Sequence, residues 1–258
     1  MNFELVALTV SCMLDTMKLE PGPRSDDKVF VLTGAGISAE SGIATFRDSG
    51  GLWEQHRVED VASPEGFERD PALVWRFYAL RRAQAATVAP NPAHRALAEL
   101  EARQGDRLTL CTQNVDDLHE RGGSRRVIHM HGELFMTRCA DEACASAPFV
   151  DRRHDFPSLP RCPCGALQRP HIVWFGEMPL EVLPIRRKVQ ACDLFLCIGS
   201  SGSVYPAAGL VRELQYRRSQ GEVCRSVYLG LEAPANADDF DQVILGKAGE
   251  LLPGLLAG

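Results

Sequence analysis

The chain has 258 residues, 45% of them hydrophobic and 24% charged, and a formal net charge of −6. That length allows one large domain or a main domain with a smaller appendage, and the composition is that of an ordinary globular protein. The acidic balance gives no reason to expect nucleic-acid binding, and no stretch is long and apolar enough to span a bilayer.

In chain order, residues 1–14 carry an apolar run, but Glu4 comes early and no basic segment precedes it. This reads as a weak secretory signal, so cytoplasmic residence is expected. Residues 20–27 are rich in Pro, Gly and charge and read as a flexible lead-in. From there short apolar runs alternate with helical patterns, the signature of a parallel α/β sheet. The predicted strands are 29–33, 108–112, 127–130, 172–175, 194–198 and 226–231. The predicted helices include 72–86, 92–103, 183–191 and 207–218. Two regions break the alternation: 54–89 is helical without an intervening strand, and 139–165 is rich in Cys, Pro and Asp. The expected fold is therefore α/β, a Rossmann-like domain made of 28–56, 90–132 and 168–258. A helical insertion at 57–89 and a cysteine-bearing insertion at 133–167 form a smaller lobe, behind the lead-in at 1–27.

Four features carry chemistry. The first predicted strand feeds a turn at Gly34 and Gly36, and Ala39 completes a G-x-G-x-x-A spacing. Glycines there let backbone approach a pyrophosphate whose charge sits at a helix N-terminus, although a glycine-rich turn with no ligand has the same pattern. A nicotinamide dehydrogenase places an acidic residue about 20 positions on, at the end of a second strand. Here no strand pattern leads up to Glu54, so a dinucleotide is held differently and hydride transfer loses ground. Second, His129 and His131 share one face of a straight strand, and spacing alone does not choose between them as a base active near neutral pH. Third, Cys139, Cys144, Cys162 and Cys164 form C-x₄-C and C-x-C pairs, a donor set suited to a closed structural zinc site, with incidental cysteines as the alternative. Cys12, Cys111, Cys192, Cys197 and Cys224 read as buried thiols. Fourth, Tyr78 and Arg81 stand three apart in a helical stretch and share a face.

Together, 34–47 (Gly-Ala-Gly-Ile-Ser-Ala-Glu-Ser-Gly-Ile-Ala-Thr-Phe-Arg), 112–116 (Thr-Gln-Asn-Val-Asp), 129–133 (His-Met-His-Gly-Glu) and 199–202 (Gly-Ser-Ser-Gly) resemble the sirtuin family, in its order. The likeness runs from about residue 28 to 256. With 171–179 and 204–208 it is nearest the bacterial branch related to the mitochondrial desuccinylase. The resemblance implies an NAD-dependent protein-lysine deacylase that yields nicotinamide, 2′-O-acyl-ADP-ribose and the free lysine amine. It implies NAD as co-substrate, a structural zinc, acylated proteins as partners, no nucleic acid or membrane, and a monomer. It also implies site roles. Gly34, Ala35, Gly36, Ile37 and Ser38 would wrap the pyrophosphate, and Phe46, Arg47 and Trp53 would belong to the cofactor loop. Gln113 would bind a ribose, Asn114 would position the reacting groups, and Val115 and Asp116 would hold the nicotinamide end. Gly199, Ser200, Ser201, Gly230, Leu231, Glu232 and Ala248 would meet the adenosine side. His131 would be the base that takes a proton from the ribose diol. Tyr78 and Arg81 would bind the carboxylate of a succinyl, malonyl or glutaryl group beside a small Ala62. Val173, Phe175, Gly176 and Glu177 would dock the peptide, with 203–205. Two positions depart from the family: Gly230 stands where an asparagine is usual, and Thr45 where an aspartate is common outside the bacterial branch. Mono-ADP-ribosyl transfer and a non-catalytic NAD or zinc module are the alternatives.

Overall fold

The computed structural model describes residues 23–43, the backbone of Leu52 and Trp53, and residues 56–257. Its frame is a six-stranded parallel sheet. In spatial order the strands are β11 (Gln242–Leu245), β10 (Arg225–Gly230), β9 (Leu194–Ile198), β1 (Val29–Thr33), β4 (Leu108–Thr112) and β5 (Val127–His129). The three central strands are five-residue apolar runs, and β1 and β9 are buried throughout. Such continuous runs belong in strands covered on both faces. Because side chains alternate across a sheet, Val29 and Val31 join one core with Leu97 and Leu100 of α5 (Pro92–Gln104) and Leu252 of α9 (Ala248–Leu256). Phe30 and Leu32 join the other, with Ile185 and Val189 of α7 (Val182–Gln190) and Leu214 of α8 (Arg212–Ser219). The chain order reverses at β1, which pairs with β4 on one side and β9 on the other. Ligands of open α/β sheets bind outside the carboxyl ends at such a point.

A smaller lobe packs around its own core of Val61, Val74, Trp75, Tyr78, Leu134 and Trp174. It comprises a short hairpin, β2 (Leu52–Trp53) and β3 (His56–Arg57), then α2 (Val58–Val61), α3 (Pro64–Arg69) and α4 (Pro71–Thr87). Its sheet has three strands, β7 (Phe149–Val150), β6 (Gly132–Cys139) and β8 (Gln168–Ile172), in that order. Helix α4 begins cleanly, with Pro71 in its first turn and the Asp70 carboxylate accepting from Leu73 N at 2.8 Å. At the centre of the lobe lies a fully buried guanidinium. Arg82 donates to the carbonyls of Leu134 (2.7 Å), Met136 (3.0 Å) and Arg153 (3.1 Å), and lies 3.3 Å from the Asp151 carboxylate. It thereby ties α4 to β6 and to the segment after β7. Burial alone would raise the Asp151 pKa, but hydrogen bonds from Arg153 and Thr137 and the Arg82 charge hold it well below the carboxylate range.

Several sequence expectations need correction. The apolar run 172–175 is not a strand: the strand is the polar 168–172, which pairs with β6 and not with the parallel sheet. The boundary drawn at 168 therefore cuts through the small lobe's sheet. Pro170 is tolerated because β8 is an edge strand. The helix expected at 207–218 is a 3₁₀ turn at Ala207–Gly209 followed by α8. Strands β6 and β11 and helix α9 were not anticipated, nor was the β2–β3 hairpin, whose second strand falls at the start of the 54–89 region read as helical. No helix among the described residues is long and apolar enough to cross a membrane.

Candidate active site

The loops that follow β1, β4, β9 and β10 converge on one cleft of about 570 Å³, whose far wall is the small lobe. The parallel ladders run on into these loops: Gly34 N donates to Ile198 O (2.9 Å), Gln113 N to Thr33 O (2.9 Å) and Gly199 N to Leu229 O (2.8 Å). The first residue of each loop is thus fixed by a main-chain bond continued from the sheet. At Gly34 and Gly36 a Cβ would lie 2.8 and 2.7 Å from backbone atoms of the Gly199–Ser200 loop. Gly36 N is donated to Gly199 O at 2.9 Å. These glycines therefore serve first to let two loops interlock, a reason different from the direct pyrophosphate approach read from the sequence. Helix α1 (Gly36–Ala39) is a single turn, so little macrodipole stands behind this turn.

Gly34, Ala35, Gly36, Ser38, Gln113, Asn114, Val115, Asp116, Gly199, Ser200, Ser201, Gly230, Leu231, Glu232 and Ala248 all line the cleft. Ile37 does not: it is fully buried in the core beneath the loop, against Ala93 and Leu97. Phe46, Arg47 and the Trp53 side chain lie outside the described residues. Asn114 Nδ2 donates to Gly34 O (3.2 Å) and Ser38 Oγ (3.1 Å), and Ser38 Oγ donates to Asp116 Oδ2 (3.1 Å). Burial raises the Asp116 pKa, partly countered by its hydrogen bonds from Leu118 N and Ser38.

The two histidines separate. His131 lines the cleft, with Nδ1 3.0 Å from Gln113 O. A carbonyl only accepts, so Nδ1 carries the proton and Nε2 keeps its lone pair. Burial lowers the His131 pKa below its ordinary 6.5, so the ring is neutral at neutral pH and can act as a base. His129 does not line the cleft; its ring bridges Asn114 O (3.2 Å) and Glu120 Oε1 (2.7 Å). Gly132, at φ +84°, is required after His131, because a Cβ there would lie 2.1 Å from His171 O. His131 O in turn accepts from Val173 N at 2.9 Å.

At the small-lobe end Tyr78 and Arg81 are both buried and both line the cleft, with Ala62. Trp174 Nε1 donates to Tyr78 Oη at 3.0 Å, and burial pushes the phenol pKa up to about 12, so it stays protonated. Val173, Phe175, Gly176 and Glu177 also line the cleft. The Glu177 carboxylate, however, is engaged within the wall: it takes two bonds from Arg169 (2.6 and 2.9 Å) and one from Trp174 N (2.7 Å). The Arg169 guanidinium lies 3.3 Å over the Trp174 ring. The set Arg169, Glu177 and Trp174 holds the wall against which Tyr78 rests.

Sequence reasoning missed Tyr228, read only as part of a strand. Its hydroxyl lies 3.0 Å from Ser200 O and 3.1 Å from Glu232 O, between the loops that follow β9 and β10. A Cβ at Gly230 would lie 2.3 Å from that hydroxyl, so the phenol occupies the space a side chain at 230 would need. It also missed Glu40, whose carboxylate accepts from Gly249 N at 2.8 Å and fastens α9 to the glycine loop.

Away from the cleft, the sulfurs of Cys139, Cys144, Cys162 and Cys164 all lie within 4.8 Å of one another, with 3.6 and 3.7 Å for the pairs Cys139–Cys164 and Cys144–Cys162. Tetrahedral zinc with bonds of about 2.3 Å sets sulfurs about 3.8 Å apart, so the four fit the ion. The cluster joins the end of β6 to the turn before β8.

The Sir2 family profile matches residues 34–206, a span holding the glycine loop, Asn114, His131 and the four cysteines. The chain belongs to the Sir2 family. It is 52% identical over 235 residues to an NAD-dependent protein deacylase of Pasteurella multocida, covering 89% of this chain and 97% of that one. It is 48% identical over 241 residues to an NAD-dependent protein deacylase of Escherichia coli K12, covering 92% and 83%. Among solved structures, a Sir2 homologue mutant in complex with ADP-ribose superposes with a TM-score of 0.81 at 39% identity, covering 99% of this chain and 95% of the other. A Sir2 homologue–NAD complex superposes at 0.79 with 40% identity, covering 95% and 92%. Like those Sir2 proteins, this one pairs a parallel-sheet domain with a second lobe, here bearing a four-cysteine cluster that can hold zinc.

Proposed function

We propose that this Sir2 protein removes succinyl, malonyl and acetyl groups from protein lysines in an NAD-dependent reaction that yields nicotinamide and 2′-O-acyl-ADP-ribose. The observation that carries the reading is that one cleft holds a neutral, cleft-facing His131 beside Asn114 and Asp116, and a buried Tyr78–Arg81 pair at its small-lobe end.

Bound NAD supplies an electrophilic ribose carbon once nicotinamide leaves, and a ribose diol with a proton to give up. His131 Nε2 takes that proton, because Nδ1 is committed to Gln113 O and burial keeps the ring neutral. Asn114, anchored on Gly34 O and Ser38, presents its amide to the reacting groups, and Asp116 holds the nicotinamide end through the carboxylate that Ser38 and Leu118 orient. The interlocked 34–38 and 199–201 loops carry the pyrophosphate and adenosine, with Gly230, Leu231, Glu232 and Ala248 at the adenine end. Arg81 grips the distal carboxylate of an acidic acyl group, and the protonated Tyr78 supports it. Val173, Phe175 and Gly176 border the entering peptide, while Glu177 shapes that border from behind.

The four cysteines hold zinc and stabilise the lobe formed by 57–89 and 133–172, taking no part in the chemistry. Besides those four, Cys111, Cys192, Cys197 and Cys224 are buried thiols, which suits the cytoplasmic residence proposed for this chain. The deciding experiment is incubation with NAD and matched acetyl-, succinyl- and malonyl-lysine peptides, followed by mass spectrometry. Free lysine together with O-acyl-ADP-ribose supports deacylation, whereas ADP-ribose attached to the protein target would make the enzyme a transferase.

A further inference from the structure

Asn114 sits on a loop that has left the sheet, and three successive carbonyls of that loop are each held from one neighbouring stretch of chain. The β4–β5 pairing ends with Met130 N donating to Thr112 O at 3.1 Å. Beyond it, His131 Nδ1 holds Gln113 O at 3.0 Å, His129 Nδ1 holds Asn114 O at 3.2 Å, and Leu134 N holds Val115 O at 2.7 Å. The first and third donors are neutral. The middle one differs, since His129 Nε2 lies 2.7 Å from Glu120 Oε1 on α6 (Leu118–Arg121). A carbonyl and an ionised carboxylate can only accept, so both ring nitrogens of His129 carry protons and the ring is an imidazolium.

We propose, resting on the deacylase reading above, that His129 is a positioning residue acting in its charged form. Clamped between Glu120 and the Asn114 carbonyl, it fixes the Asn114–Asp116 loop in its working geometry, and loss of one ring proton leaves a single N–H for two acceptors, which breaks one side of the clamp and slackens that loop.

The charges around it agree. The His129 side chain is 8% exposed. It faces Glu120 from α6, Glu133 from β6 and Asp116 from the loop itself, while the adjacent His119 is buried and kept neutral chiefly by that burial. Burial of His129 alone would favour the neutral ring, but the Glu120 hydrogen bond and charge, with Glu133 and the Asn114 carbonyl, outweigh it and raise its pKa. Two histidines two residues apart are thus set in opposite states. The sign follows directly. His131 must be neutral, so activity falls as pH drops through a value below 6.5. His129 must be charged, so activity falls again as pH rises through a value above 6.5. The pH–rate profile is a bell whose alkaline limb belongs to a residue that touches no substrate.

The test is kcat and KM for NAD between about pH 5 and about pH 9, a range that brackets imidazole titration, for the natural protein, Glu120→Gln and His129→Gln. Glu120→Gln, at a largely solvent-facing carboxylate, is expected to move the alkaline limb to lower pH and to reduce kcat several-fold. His129→Gln keeps a donor for Asn114 O but cannot titrate, so that limb disappears. An alkaline limb unmoved in Glu120→Gln overturns the proposal, and that variant decides the matter if His129→Gln does not fold. NMR of the natural protein gives a readout independent of turnover: the His129 ring and the Asn114 side-chain amide should titrate together, and both should shift in Glu120→Gln. An Asn114 amide indifferent to the titration of His129 defeats the clamp even in an active enzyme. A protein with no deacylase activity on any acyl peptide defeats the functional reading, and the NMR result still decides the clamp.

Discussion

The two ends of the cleft are built from different materials. At the glycine-loop end the framework is set main chain against main chain: loops interlocked through Gly34, Gly36 and Gly199, each begun by a hydrogen bond continued from the sheet. At the acyl end it is side chain, with Tyr78 and Arg81 on one helix backed by Trp174, Arg169 and Glu177. A main-chain surface tolerates few alternatives, because its shape is set by backbone approach. A side-chain surface can be retuned one residue at a time without disturbing the sheet. On the proposed reading, cofactor recognition would be a property of the fold and acyl preference of a handful of replaceable groups.

Four experiments press on that contrast. His131→Ala stands at the meeting of the two ends and should lose about 10²- to 10⁴-fold in kcat, the usual worth of a positioned base. Its unfolding temperature and NAD binding should stay near those of the natural protein; appreciable turnover would move the base elsewhere. Arg82→Ala leaves the carbonyls of Leu134, Met136 and Arg153 without their donor and removes one of the two cations beside Asp151, which keeps its bonds from Arg153 and Thr137. A loss of about 3–5 kcal/mol in stability is expected, seen in denaturant unfolding of the small lobe. If the lobe kept its stability, the side-chain end would not depend on this buried cation. Arg81→Met should cut desuccinylation by about 10- to 100-fold, the worth of a charged hydrogen-bonded pair, while sparing deacetylation. Equal loss on both peptides would show that the acyl end cannot be retuned separately. Tyr228→Phe removes one hydroxyl that braces two main-chain loops. It should raise KM for NAD a few-fold, in line with about 0.5–1.5 kcal/mol for such a bond, and leave acyl preference unchanged.

What could be read from the sequence divides along the same line. Strands β1, β4 and β9 were legible to the residue, because a run such as Leu-Phe-Leu-Cys-Ile, too short for a buried helix, suits a strand covered on both faces. The glycine loop, Asn114, Asp116 and His131 were legible as a set of motifs in fixed order. The segment 168–177 misled, because a charged side chain, Arg169, is buried in it beside Ile172 and Trp174. Arg169 and Glu177 neutralise one another, so Gln-Arg-Pro-His-Ile forms the strand while the apolar Val173 and Trp174 line the cleft. Arg82 was invisible for the same reason, since nothing local marks an arginine whose carbonyl partners lie more than 50 residues away. Spacing could not separate His129 from His131 either. That choice rests on whether Glu120 or the cleft faces the ring.

The glycine that follows His131 has a mechanical corollary. Gly132 brings the catalytic strand against the His171 carbonyl, and His131 O receives Val173 N, so the base stands on the seam where the large sheet hands over to the small one. When one body turns against another, points near the axis travel least. Rocking of the small lobe about this seam would carry α4, with Tyr78 and Arg81, through an arc and leave the His131 ring nearly at rest.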